Sequence, residues 1–435
     1  MTTSRPTPLP RWLAALALAG LATGVGGLAC NLLLYGVQLA VFGRQVFSGY
    51  GSLEAVPTAR RILGPLILFA LGGLAWWYLR AHASRQRTLS MNAGIRGQRM
   101  SHFTPLDVAT QVSVVGAGLS IGREAAPRQL AVWASQYLER WLRISGRDAV
   151  ILSAAAAGAG LAAVYNTPLA GVAMAWALLA PREVRSWRLF LSSLPVSALA
   201  TVVPWVMTGN RPYYLLPHMD LGALNSGQLF GDNVFGPRTA AGALALLCAI
   251  AVGLMLLGGA GGELFARFLV FAQHRVHHGP LRARAVLWTV PFAGLAAVAL
   301  AFVLPKVGSN GAVQVQFMVG AAPAIPLLVA YGLAKPALTW LAVRAGASGG
   351  RIAPALATGA TLGALVAALL GAEYTALILL VLVTMAAFFA ASQRSGVFGG
   401  LFVIELLRPP LSVAGAVLLA GLAGYGTARL FFRRR

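Results

Sequence analysis

Seven stretches of this chain are apolar over the length of a bilayer: 12–42, 62–79, 150–180, 240–258, 285–304, 374–391 and 411–430. About 20 residues of helix cross the hydrocarbon core, so each predicts a transmembrane helix. Two further apolar pieces, 352–370 and 397–406, are short or interrupted by Gly and Pro. They predict helices that enter the membrane without crossing it cleanly. Composition agrees, since 58% of the 435 residues are hydrophobic and only 10% are charged, where a soluble domain carries roughly 25% charged residues. The expected fold class is an all-α polytopic integral membrane protein. Every polar stretch is too short to bury a core of its own, so no folded soluble domain is expected at either end.

The net charge is +23, and Lys306 and Lys335 are the only lysines. A soluble protein this basic would suggest nucleic acid. Here the arginines gather in short segments, at 80–99, 140–147, 182–188, 267–284 and 433–435. Such clusters hold loops on the cytoplasmic side, so a nucleic-acid partner is not expected and the lipid bilayer is. With Arg5 and Arg11 at the start, both termini are placed in the cytoplasm of a multi-pass protein of the cell (inner) membrane. Cys30 and Cys248 exclude a disulfide scaffold and read as core thiols. "GGLAC" before Asn31 resembles a lipoprotein cleavage site, but the apolar stretch continues past it, so a first membrane helix is expected.

The nine residues "AGLSIGREA" (117–125) return as "AGASGGRIA" (345–353), with six of nine positions identical. A second pair, "AAVYNTPLAG" (162–171) and "AASQRSGVFG" (390–399), lies at the same offset. The chain therefore reads as a degenerate two-fold repeat: a tail (1–11), a first membrane repeat (12–208), a linker (209–238), a second membrane repeat (239–432) and a basic end (433–435). Internal repeats of transporters bind their substrates between the halves, where Gly/Pro-interrupted segments meet. "SIGREAAP" and "SGGRIAP" are such a pair. Pro127 and Pro354 suit the first turn of a helix. Helix N-termini present free N–H groups and a partial positive charge to anions. Gly122, Arg123 and Ala125, with Gly350, Arg351, Ile352 and Ala353, are therefore the candidate anion-binding residues. Glu124 beside them is a candidate gate and proton acceptor. Ionised, it occupies the anion's place; protonated, it leaves. A competing structural reading pairs Glu124 with Arg123 or Arg128. Arg351 has one too, snorkelling to an interface or pairing with Glu405.

These residues resemble the CLC chloride channels and proton-coupled chloride antiporters. Gly122-Arg123-Glu124-Ala125-Ala126-Pro127 is similar to the family's Gly-(Lys/Arg)-Glu-Gly-Pro. Gly350-Arg351-Ile352-Ala353-Pro354 is similar to its Gly-x-Phe-x-Pro, and "YNTPLAG" (165–171) to its Asn-x-Pro-Leu-Ala-Gly. "GSNG" (308–311) and "VIELL" (403–407) resemble further family stretches. The resemblance spans roughly 12–430. It implies two inverted-topology repeats of tilted and broken helices, and a homodimer with one anion pathway per subunit. It also adds Ala93, Gly94 and Ile95 to the anion-binding candidates, because Asn92–Arg96 aligns with the family's Gly-Ser-Gly-Ile-Pro. Three departures stand out. Ala93 replaces the serine, the family's inner tyrosine has no counterpart, and no carboxylate lies near Ala177 or Leu178, where the antiporters hold an inner glutamate. Asp107 falls where the family often has a basic residue.

His274, His277 and His278 share a helical spacing that suits a metal, but in an arginine-rich segment a basic loop is the expectation. Trp76, Trp77 and Tyr78 read as an interfacial belt. No phosphate loop, nucleophile elbow or HExxH motif is present, and neither a cofactor nor enzyme activity is expected. The expected function is transmembrane anion transport, with chloride as the family's usual ion. The pathway is gated by Glu124, in a channel or a chloride/proton antiporter, with proton coupling open. The alternatives are a non-transporting scaffold or sensor of CLC type and an intramembrane enzyme acting on an anionic lipid.

Overall fold

A computed structural model of the protein describes residues 6–47, 51–82, 86–222, 229–230, 239–278, 283–321 and 323–432, with the side chains of 274–278 and 283 excepted. The histidine triplet's side chains, most of the linker's second half and the basic end at 433–435 lie outside the described residues. Among these the chain is helical, with isolated backbone bridges and no sheet. The first half holds α1 (Leu9–Phe42), α2 (Thr58–Ala81), α3 (Met91–Ile95), α4 (Thr104–Gly116), α5 (Ala125–Trp141), α6 (Gly146–Tyr165), α7 (Pro168–Met174), α8 (Trp187–Val202) and α9 (Trp205–Thr208). The second holds α10 (Ala240–His278), α11 (Val286–Val303), α12 (Ala312–Gly320), α13 (Ile325–Arg344), α14 (Ile352–Leu369), α15 (Tyr374–Gln393), α16 (Gly396–Leu407) and α17 (Leu411–Phe431). Ten helices among the described residues are long and apolar enough to cross a membrane. The protein is thus a multi-pass membrane protein.

Each half is built around one almost wholly buried helix, α6 in the first and α15 in the second. The sequence of α6, GRDAVILSAAAAGAGLAAVY, lets neighbouring backbones approach closely, the usual source of helix association in lipid. It packs against α1, α5, α7 and α8, while α15 packs against α10, α14, α16 and α17. The second half repeats the helical order of the first, with α2, α6 and α7 matched by α11, α15 and α16 at one constant spacing, and the fold is that of two inverted repeats. Large side chains such as Leu63, Trp288 and Leu411 are exposed on the rim, as lipid-facing positions should be.

The structure corrects several boundaries. The apolar stretch 150–180 is not one span. Asn166 caps α6 in the left-handed region (φ 57), and the chain restarts at Pro168. α10 runs 39 residues, roughly 60 Å by helical rise, so it extends far past residue 258. Inside it Glu263 pairs with Arg267 (2.9 Å) and with Arg394 (3.3 Å), which satisfies the polar residues that seemed to end the span. The piece 352–370 is an unbroken helix. α8 and α13 are spans that the sequence concealed behind Arg188 and Pro195, and behind Lys335 and Pro336. Cys248 is exposed, unlike Cys30.

Candidate functional site

The two nine-residue motifs meet. Gly122 N–H donates to Gly350 C=O (2.8 Å), and Gly350 N–H donates to Gly122 C=O (2.7 Å). Three further bonds fix this junction. Ser309 N–H donates to Gly118 C=O (2.8 Å), its hydroxyl donates to Val115 C=O (2.9 Å), and Ser120 and Thr339 share a hydroxyl bond (3.1 Å). From outside the junction, Arg80 donates to Gly346 C=O and Thr289 to Ala345 C=O. Lys335, fully buried in α13, donates to Val307 C=O (2.9 Å) and Ser309 C=O (2.7 Å). The loops that carry the motifs are thus held by partners on both sides.

Glu124 is completely buried. Its Oε1 accepts the N–H of Ile352 at 2.6 Å, and its Oε2 lies 3.3 Å from the Tyr165 hydroxyl. A carboxylate of the first half therefore rests on the first helical N–H of α14 in the second. The ion-pair reading fails. Arg128 Nε donates to the backbone carbonyl of Glu124 (2.7 Å). Arg123 turns to Asn31 Oδ1 and Val164 C=O, both at 3.0 Å, with its guanidinium over the Tyr165 and Tyr213 rings. Val164 lies in the last turn of α6, where the exposed carbonyls of a helix C-terminus favour a cation.

The glycines shape the site rather than donate to it. A methyl group at Gly122 or at Gly350 would overlap the Glu124 carboxylate, and their N–H groups are used by each other. Their own N–H groups are thus engaged across the junction. Pro127 and Pro354 both stand third in their helices. Neither has an N–H, so the first-turn donors are those of Ala125 and Ala126 in α5 and, in α14, of Ala353 and of Ile352, whose N–H already holds Glu124. Neither flanking side chain, Glu124 or Arg351, caps its own helix. Arg351 is half-buried and takes no part in the ion pairs found among the described residues. Glu405 is not its partner, because Glu405 accepts the N–H groups of Leu169 (2.9 Å) and Ala170 (2.7 Å) at the start of α7.

Ala93, Gly94 and Ile95 lie at the end of α3, whose start is capped by Ser90 accepting from Ala93 N–H (3.4 Å). Gly94 packs against Val132, and its carbonyl accepts from Gln136 (3.1 Å). Those residues lie about 12 and 18 Å along α5 from Glu124 at 1.5 Å per residue. The three candidates therefore sit beside the body of α5, away from the carboxylate. At Ala175–Leu179, which includes the position of the absent inner glutamate, the helix widens into a π turn. Such turns recur at functional sites.

Three site features escaped sequence reading. Tyr165 touches Glu124, and its only signal was adjacency to the Asn166 cap. Lys335 is one of two lysines and sits in an apolar run, which marked it out. Asp107 is nearly buried and accepts from Trp76 Nε1 (2.9 Å), Gln111 (3.0 Å) and Gln129 (2.8 Å). Trp76 is thereby a buried partner rather than a member of an interfacial belt.

The inverted halves, the paired helix starts and the motif loops agree with one family. The model of the voltage gated chloride channel family matches residues 69–429, and the chain belongs to that family. Among solved structures it resembles a slow cyanobacterial Cl−/H+ antiporter, with a TM-score of 0.77 at 20% identity over 97% of this chain and 95% of that one. It also resembles a CLC-type fluoride/proton antiporter, with a TM-score of 0.68 at 19% identity over 95% of each chain.

Proposed function

We propose that the protein carries chloride across the cell inner membrane, through a pathway between its two halves that Glu124 gates. The observation that carries this reading is the bond from Ile352 N–H to the Glu124 carboxylate. An anion passing between the halves needs that same donor, together with the free N–H groups of Ala125, Ala126 and Ala353. Ionised Glu124 occupies the place. Protonation removes its charge, weakens the bond and releases the donor. A charge this deep in a membrane protein is by default functional, and Glu124 makes no direct ion pair among the described residues. Tyr165 stands against the carboxylate from the other side and limits where it can swing. Asp107 and its three donors are a second buried carboxylate, offered as a candidate for the proton's route where the inner glutamate is missing.

The relatives' names include both chloride and fluoride, so both ions belong in the test. Purified protein is reconstituted into liposomes loaded with either ion, and efflux is started with a potassium ionophore. Rapid efflux of chloride is expected. No efflux of either ion under any gradient would contradict the reading. The arginine-rich face is placed in the cytoplasm with both termini. The protein is further proposed to be a homodimer, paired through the apolar face of α7, α8, α16 and α17. Leu169, Trp187, Leu191 and Val397 are each more than half exposed there, and a cavity of about 840 Å³ lies between these helices.

A further inference from the structure

Arg351 stands where Arg123 does, one repeat later, and the two arginines are used differently. Arg123 is buried and directs its guanidinium to Asn31 and to the C=O of Val164. Arg351 is half-buried and does not cap α14. Its guanidinium makes neither an ion pair nor a hydrogen bond among the described residues. It directly precedes Ile352, whose N–H holds the Glu124 carboxylate at 2.6 Å. The charges of Arg351 and Arg128 both lie within Coulombic range of that carboxylate. Arg128 is already committed. Its Nε holds the C=O of Glu124, and a terminal nitrogen turns to the sulfur of Met174 (3.7 Å). The other ionisable groups around Glu124 are Tyr165 on α6 and, behind it, Tyr213 and Tyr214. These offer hydroxyls and no positive charge.

An ionised carboxylate that leaves Ile352 N–H needs another partner, because a lone charge inside a membrane protein is costly. A proton removes the charge. An uncommitted guanidinium is the alternative, since a carboxylate matches its fork in two charge-assisted bonds. We propose that Arg351 is a latch for the displaced gate. Ionised Glu124 swings from Ile352 N–H to the Arg351 guanidinium and leaves the α14 donors to the passing anion. The inference rests on the reading of Glu124 as the gate and adds a second way of opening it. Opening by protonation fades as pH rises, whereas opening onto Arg351 uses the charge and persists. Arg351 is thus a positioning residue, acting on the anion only through Glu124.

The test is chloride efflux from liposomes at about pH 4 and about pH 8, where an ordinary glutamate is roughly half protonated and fully ionised. The proteins are wild type, Arg351→Gln, Arg351→Lys, Glu124→Gln and the double variant of Glu124→Gln with Arg351→Gln. At the higher pH Arg351→Gln should lose roughly fivefold of the wild-type efflux, and at the lower pH clearly less. Arg351→Lys should recover most of that loss. In the Glu124→Gln background the arginine substitution should change nothing at either pH, which also shows that the variant folds. Unchanged efflux of Arg351→Gln at the higher pH would overturn the latch. So would an equal loss in both backgrounds, because Arg351 would then act on the anion or on the fold. If Glu124→Gln alone behaves as wild type, the gate is refuted and the latch falls with it. If Glu124→Gln differs from wild type while Arg351→Gln does not, only the latch is refuted.

Discussion

Glu124 and its surroundings divide into what a sequence can announce and what it cannot. A carboxylate between Gly122-Arg123 and a Pro-bearing helix start is visible in the letters. Its partner is not, because the donor is a backbone N–H, at Ile352, and every non-proline residue has one. The neighbouring arginines mislead for a related reason. Guanidinium groups beside a carboxylate suggest an ion pair, whereas here both satisfy carbonyls and an asparagine. The glycines give the sharpest residue-scale prediction. Gly350→Ala places a methyl group where the Glu124 carboxylate lies. Overpacking of this kind costs about 1–3 kcal/mol. The variant should unfold at lower temperature in detergent, and its anion efflux should lose the pH dependence of wild type. An unchanged unfolding temperature with an unchanged pH profile would mean that the carboxylate does not rest there.

At the scale of elements, the repeat is more regular than nine-residue motifs suggested. α2, α6 and α7 begin at Thr58, Gly146 and Pro168, and their counterparts α11, α15 and α16 begin at Val286, Tyr374 and Gly396, one constant offset later. α4 and α13 end at Gly116 and Arg344 with the same spacing. Even the caps correspond, with Asn166 and Arg394 both at φ 57. Little of this was legible, since side chains diverged while backbone positions did not. Hydropathy sees length and not a single left-handed residue, so it ran α6 and α7 together. It also lost α13, because Lys335 looks like an interruption until its two carbonyl acceptors are seen. The left-handed cap can be tested at Arg394, where a β-branched side chain is strained and glycine is not. Arg394→Val should be less stable than Arg394→Gly by about 1–2 kcal/mol, read from thermal or denaturant unfolding. Equal stability would show that the α15 cap is not held in that conformation.

At the scale of the whole molecule, fold class and the two-fold architecture were readable because membrane chains have few ways to satisfy their backbones. The apolar face of α7, α8, α16 and α17, proposed above as the pairing surface, was not, since a lipid-facing surface and a subunit interface have the same composition. The proposed homodimer predicts that Trp187→Cys, on that face and 76% exposed, lies near its partner copy. Mild cross-linking of the membrane-embedded variant should trap a dimer, while the lipid-facing control Leu63→Cys should not; a monomer in both would contradict the pairing. The central claim concerns the meeting of the two halves at one carboxylate. The most direct measurement is the pH profile of chloride efflux from liposomes carrying wild type or Glu124→Gln. The account predicts that wild-type efflux changes with pH while Glu124→Gln stays open and insensitive to pH. Identical profiles for the two proteins would contradict it.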